Sequence, residues 1–149
     1  MNSSLRNEMI LASAGSGKTW QLTNRYIAIM AQALLAGDEV RPERIVAVTF
    51  TRKAAGEFFE SILKKLARAA SNEKGREDLA SNPEDPLYPI LSQLTRNHYI
   101  QLLSIFLRRM PSLFLGTLDS FFSNILHSFP AEFGLSSQFD ILDEHAARL

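Results

Sequence analysis

Apolar residues along this chain recur with two different periods, and the alternation between them predicts the element order. Met9-Ile10-Leu11 is a short unbroken apolar run suited to a buried strand. From Lys18 to about Ala36 the pattern is helical, with Leu22, Tyr26, Ile29, Met30 and Ala33 on one face and Gly37 as its terminator. Arg44–Phe50 reads RIVAVTF and predicts a second strand, rich in β-branched residues and buried on both faces. Thr51 is a good N-cap for a helix from about Arg52 to Ala70. Its apolar stripe is Ala55, Phe58, Phe59, Ile62, Leu63 and Leu66.

Ser71 to Pro89 is the most polar stretch, with three prolines, and reads as a loop or short insertion. Helical stretches follow near Ile90–Arg96 and His98–Arg109, so residues 71–111 read as a polar loop plus a helical insertion. Leu113–Thr117 predicts a third strand and Leu118–Phe129 another helix, with Phe121, Phe122, Ile125 and Phe129 assigned to the core. Phe139–Leu142 reads as a last short strand, and Asp143 or Glu144 would start a further helix. Strands alternating with helices imply an α/β fold with parallel pairing and right-handed crossovers.

Composition narrows the picture. The 149 residues suffice for one domain, and a hydrophobic content of 46% can fill a core. The absence of cysteine excludes a disulfide framework or a thiolate metal site and fits a reducing, cytoplasmic setting. MNSSLRNEM lacks the apolar core of a signal peptide, and no apolar run approaches a membrane span. His98, His127 and His145 are scattered without metal-ligand pairing. Sixteen basic residues balance sixteen acidic ones, but nine Lys/Arg against four Glu fall between Arg41 and Arg76. That basic middle suits either a phosphate-backbone surface or solvated helix faces.

The candidate chemistry begins at Ala12-Ser13-Ala14-Gly15-Ser16-Gly17-Lys18-Thr19. It fits the phosphate-binding loop pattern except that Ala12 stands where the first glycine usually does. Gly15 and Gly17 permit positive φ and close approach to a polyphosphate. Successive N–H groups at the start of a helix then form an anion nest. Lys18 would reach the β and γ phosphates, and the Thr19 hydroxyl would ligate Mg²⁺. The expected ligand is therefore Mg-ATP or a similar nucleoside triphosphate.

Three segments in order carry a family resemblance. ASAGSGKT at 12–19, VTFTRKAAGEF at 48–58 and GTLDSFFSNIL at 116–126 resemble motifs I, Ia and Ib of superfamily 1 DNA helicases. The resemblance is to the UvrD/Rep group, especially its AddA/RecB-like branch, where an alanine at the position of Ala12 is common. It implies a RecA-like P-loop core, three-layered around a parallel sheet and incomplete here, with residues 1–149 as the N-terminal part of the ATP-binding domain. By resemblance, Phe50, Thr51 and Arg52 touch single-stranded DNA, Phe50 by stacking on a base. The other reading of Phe50 is a core aromatic at a strand end.

By the same resemblance Thr117 and Ser120 contact the DNA backbone. Asp119 stands where many relatives carry His and is read as an N-terminal helix carboxylate. Trp20 follows the loop directly, and either stacks on the adenine or packs on the core. Residues 1–11 show no obvious glutamine-containing motif. FDILDE at 139–144 is read as a false acidic motif, so the groups that hold Mg²⁺ and activate water would lie elsewhere. The chain is thus expected to be truncated before that motif and the second motor domain, its missing partner being that domain or a separate protein of the same complex. Alternatives are an unrelated phosphate-loop ATPase or kinase, and a stand-alone nucleotide- or DNA-binding module without turnover.

Overall fold

The computed structural model describes residues 5, 7–9 and 17–136. Helix α1 spans Lys18–Ala36, strand β1 Val46–Thr49, helix α2 Arg52–Ser71 and helix α3 Glu73–Leu79. Helix α4 is Tyr88–Leu91, α5 Arg96–Arg109, strand β2 Phe114–Thr117 and α6 Leu118–Ser128. Residues 10–16, with most of the expected first strand and phosphate loop, lie outside the described residues, as do the strand and helix expected from Phe139 onward. The fold is mixed, with a small parallel sheet of two strands among the described residues. Val46 pairs with Phe114 and Thr49 with Thr117, as the strand–helix alternation predicts.

Helix α1 ends as its glycine predicts. Gly37 adopts φ +77°, its N–H donates to the Leu34 carbonyl, and Asp38 N–H donates to that of Ala33. Helix α2 begins at Thr51, whose hydroxyl oxygen accepts from Ala54 N–H at 3.1 Å. Its Ala55, Phe58, Ile62, Leu66, Ala69 and Ala70 are buried. The helix packs against α1, α3, α5 and both strands. Tyr26 of α1 meets Phe58 and Phe106 edge-on, with ring centres 6.0 and 6.1 Å apart. Tyr99, Leu102 and Phe106 of α5 close the core from the other side.

Four expectations are corrected. Residues 71–89 are not simply a loop, because α3 occupies 73–79. The polar residues misled because they serve helices: within the stretch Arg76 Nη1 donates to the Ala69 carbonyl of α2 at 3.0 Å, and beyond it Arg96 Nε of α5 donates to that of Ala70 at 3.1 Å. These carbonyls close a helix C-terminus, where cations are also favoured. Strand β1 is shorter than Arg44–Phe50, since Pro42–Arg44 forms a 3-10 turn, and it is not buried on both faces: Val46 and Val48 are exposed.

In α1, Leu22 and Ile29 are also exposed, flanking a cavity of about 240 Å³ beside β1. Tyr26 and Met30 of the expected face are buried, and the buried side extends over Thr23, Asn24, Ile27, Ala28 and Ala31, because α1 turns that side toward the helices and away from β1. Finally, α6 has no fully buried residue, and Phe122 and Phe129 are exposed rather than core. Phe121 is half-buried between Phe114 and Phe122, because among the described residues α6 packs chiefly against the two strands.

The docking of α3 can be tested at one atom. A Cβ on Gly75 would stand 2.5 Å from the Arg68 carbonyl carbon of α2. Gly75→Ala is expected to destabilise the chain by about 1–3 kcal/mol in urea denaturation, despite the higher helix propensity of alanine. An exposed, undocked α3 would instead be stabilised by this change.

Candidate nucleotide and nucleic-acid site

Two parallel strands that end in register must launch their following helices from the same edge of the sheet. Here Thr49 pairs with Thr117, so the N-termini of α2 and α6 open side by side. The carboxyl edge of such a sheet is the usual place for ligands, and two helix N-termini there favour an anion. Between them lies an open groove of about 800 Å³. Phe50, Arg52, Thr117 and Ser120 line it together with Gly56, Phe59, Met110, Leu115 and Asp119. Four of the five residues expected to touch DNA are thus brought to one groove. Thr51, the fifth, caps α2 at its edge.

Phe50 decides between its two readings by exposure. The residue is 88% exposed, so it is not a core aromatic at a strand end. The chain has left β1 by this point, and the Thr49 hydroxyl holds the departure by donating to the Thr51 carbonyl at 2.9 Å. Arg52 is exposed and enters no salt bridge among the described residues. Lys53 and Glu57 pair at 3.9 Å and Lys64 and Glu60 at 2.7 Å, so part of the basic middle serves the solvated face of α2.

The second edge of the groove is more self-contained. Ser120 N–H donates to Thr117 Oγ1 at 3.1 Å, and Thr117 N–H donates to Ser120 Oγ at 2.9 Å, forming a reciprocal cap. The Ser120 hydroxyl in turn donates to the Thr117 carbonyl at 2.7 Å. A ligand at these hydroxyls would have to compete with the cap. Gly116 admits this arrangement, since a Cβ there would stand 2.8 Å from Ser120 Oγ. Asp119, in the first turn of α6, is exposed and lines the same groove.

At the other end, the phosphate-loop residues Ala12–Ser16 lie outside the described residues, whereas Gly17, Lys18, Thr19 and Trp20 are described. Gly17 adopts φ +79° with open space where a Cβ would be. It starts α1 with no side-chain cap and no acidic residue in the first turn. The other helices of seven or more residues start differently: Thr51, Asn72, Thr95 and Thr117 cap α2, α3, α5 and α6 with their side chains. Lys18 and Thr19 are exposed, and Trp20 is 41% exposed rather than packed into the core.

Sequence reasoning missed the residues that hold this turn from below. Lys65 of α2 donates from Nζ to the Trp20 carbonyl at 3.1 Å and to Asn24 Oδ1 at 2.5 Å. The same Nζ lies 4.6 Å from the centre of the Trp20 ring. Burial lowers the Lys65 pKa from 10.5 to about 8, because desolvation disfavours the ammonium. Thr23 Oγ1 donates to the Thr19 carbonyl at 2.6 Å and lies 3.1 Å from Ser61 Oγ. The available signal was polar residues at helical spacing, Thr19 and Thr23 on α1 facing Ser61 and Lys65 on α2.

Among the described residues there is no cluster of three or more His, Asp or Glu side chains that could hold a metal. No helix among them is long and apolar enough to cross a membrane.

Comparison with known proteins gives one consistent result. A family profile described as the UvrD/REP helicase N-terminal domain matches residues 1–149. The chain is 33% identical over 147 residues to an ATP-dependent helicase/nuclease subunit of Streptococcus sanguinis (strain SK36), covering 99% of this chain and 10% of that protein. It is 32% identical over 144 residues to the protein of the same name from Streptococcus equi subsp. zooepidemicus (strain MGCS10565), covering 97% and 10%. The Streptococcus suis (strain 98HAH33) counterpart is 29% identical over 143 residues, covering 96% and 10%. The chain therefore spans about a tenth of the length of these relatives. No solved structure matches it significantly.

The contrast between an exposed aromatic and a cap next to it is measurable. Phe50→Ala is expected to leave the free energy of urea unfolding within about 0.5 kcal/mol of the parent. Thr51→Ala is expected to lower it by about 1 kcal/mol, because the Ala54 amide loses its acceptor.

Proposed function

The chain belongs to the UvrD/REP helicase N-terminal domain family, and on that premise we propose that it is the ATP-binding, single-strand-contacting segment of an ATP-dependent DNA helicase or helicase–nuclease serving repair or recombination. The observation that carries this reading is the register of β1 and β2. It supports a shared groove for a strand of DNA at the N-termini of α2 and α6, with Phe50 projecting beside it.

The residues present fit Mg-ATP. A left-handed glycine, an uncapped helix start and an exposed Lys-Thr pair are what a polyphosphate needs. In this reading Ala12–Ser16 and Gly17 wrap the phosphates within a RecA-like P-loop fold. The Lys18 ammonium neutralises the terminal phosphates, the Thr19 hydroxyl is a Mg²⁺ ligand, and the Trp20 indole packs on the base. Bound Mg-ATP supplies the phosphoryl group whose hydrolysis powers movement. Carboxylates that hold the metal and activate water, and arginines that stabilise the transferred charge, come from the remainder of the motor or from a partner protein.

On the DNA side, Phe50 offers a π-face that grips any base without reading sequence. Arg52 supplies a positive charge for the phosphate backbone, and the first-turn amides of α2 and α6 donate to phosphate oxygens. Asp119 opposes an anion at one point of the groove, so the track is expected to run nearer α2 than α6. Such sequence-tolerant contacts suit a motor that must move along any strand, within the cytoplasm where DNA is processed.

Calorimetric titration with Mg-ATP is expected to show saturable binding that Lys18→Ala abolishes. Binding of oligo-dT is expected to weaken by about 1–3 kcal/mol in Phe50→Ala. An unrelated phosphate-loop kinase would bind nucleotide but no DNA. Robust DNA-stimulated turnover by the isolated chain would overturn its assignment as one part of a motor.

A further inference from the structure

We infer that Lys65 is a positioning residue of the nucleotide site, acting through Trp20. This rests on the nucleotide reading above and extends it to a residue of α2, about 20 Å along that helix from its Thr51 cap at a rise of ~1.5 Å per residue.

The geometry is specific. One ammonium donates to the Trp20 carbonyl, donates to the side-chain oxygen of fully buried Asn24, and lies over the Trp20 ring. These contacts fix the residue that follows Thr19 and the one a helical turn beyond it. The Thr23–Ser61 contact ties the same turn to α2 a second time and engages the Thr19 carbonyl.

Helix packing alone does not call for a lysine. No salt bridge among the described residues includes Lys65, and a partly buried ammonium bears a desolvation cost that methionine of similar volume would avoid. What the lysine adds is direction: its donors hold the Trp20 carbonyl and the Asn24 side chain, and its charge holds one face of the indole. Trp20 keeps 41% of its surface exposed, which leaves ring area for a base. Lys65 and Trp20 border a cavity of about 310 Å³ whose other charged groups are Arg68 and Asp78. Those two pair with each other at 2.8 Å, so Lys65 is the cation available to the ring.

Trp20 is the only tryptophan in the sequence, so its fluorescence reads the contact directly. The purified chain, Lys65→Met and Lys65→Arg are compared by emission between about pH 7 and 9.5, a range in which the α-amino group also titrates but does so in all three. The parent is expected to show a transition with its midpoint at about 8, the ammonium being charged below it and neutral above. Lys65→Met is expected to lack that transition at unchanged helical circular dichroism.

In titrations at neutral pH, Lys65→Met is expected to weaken Mg-ATP about tenfold, leave Mg-tripolyphosphate within about twofold, and be largely rescued by Lys65→Arg. Unchanged Mg-ATP affinity in Lys65→Met, or equal loss for both ligands, would overturn the inference. A parent chain that binds neither ligand overturns the nucleotide reading and this inference with it. A persisting pH transition would then place the failure in that reading and not in the Lys65–Trp20 contact.

Discussion

Helix α2 is packed on several sides at once, and that burial constrains everything else the described residues do. It meets α1, α3, α5 and both strands, and its Ile62, Leu66 and Ala69 are fully buried. A helix of 20 residues is about 30 Å long and stiff. One end stands at the groove between the strand ends, the middle grips the first turn of α1, and the last turn receives α3 and the guanidinium groups of Arg76 and Arg96. A shift of this rod would therefore be felt in all three places. The aromatic contacts of Phe58 and Phe59 with Tyr26 and Phe106 hold it against such a shift.

The chemistry of the two proposed sites follows from how helices begin. Where a helix starts with a threonine cap, as α2 and α6 do, its first amides are partly satisfied and the structure there is self-sufficient. Where it starts from a left-handed glycine, as α1 does, the N-cap residue has no side chain to offer the first amides. The first kind suits a track that a strand of DNA must enter and leave. The second suits a tightly held polyanion. Parallel pairing places the two capped starts together, and α2 links them to the uncapped one.

Membership of the helicase family and the local order of elements were legible in the chain itself. Gly17 before Lys18, the Thr51 cap, Gly37 and the β-branched residues of Val46-Ala47-Val48-Thr49 each act through their own backbone preferences, which need no distant partner. The same reasoning fails where a residue has two suitable environments. Leu22, Ile29, Phe122 and Phe129 are apolar at helical spacing, which points them inward, yet they are exposed. Asn72, Lys74 and Arg76 have the composition of a loop, yet lie in or cap a helix.

Sequence by itself thus determined where α1 and α2 start and stop, and that β1 and β2 would run parallel. Periodicity records that a face is apolar but not which neighbour covers it, and polarity does not say whether a donor meets water or a helix carbonyl. Only the tertiary structure decided that Phe50 stands free, that Thr117 and Ser120 are committed to a reciprocal cap, and that Lys65 closes on Trp20. The last of these depends on a contact between residues 45 positions apart in the chain, which no local pattern encodes.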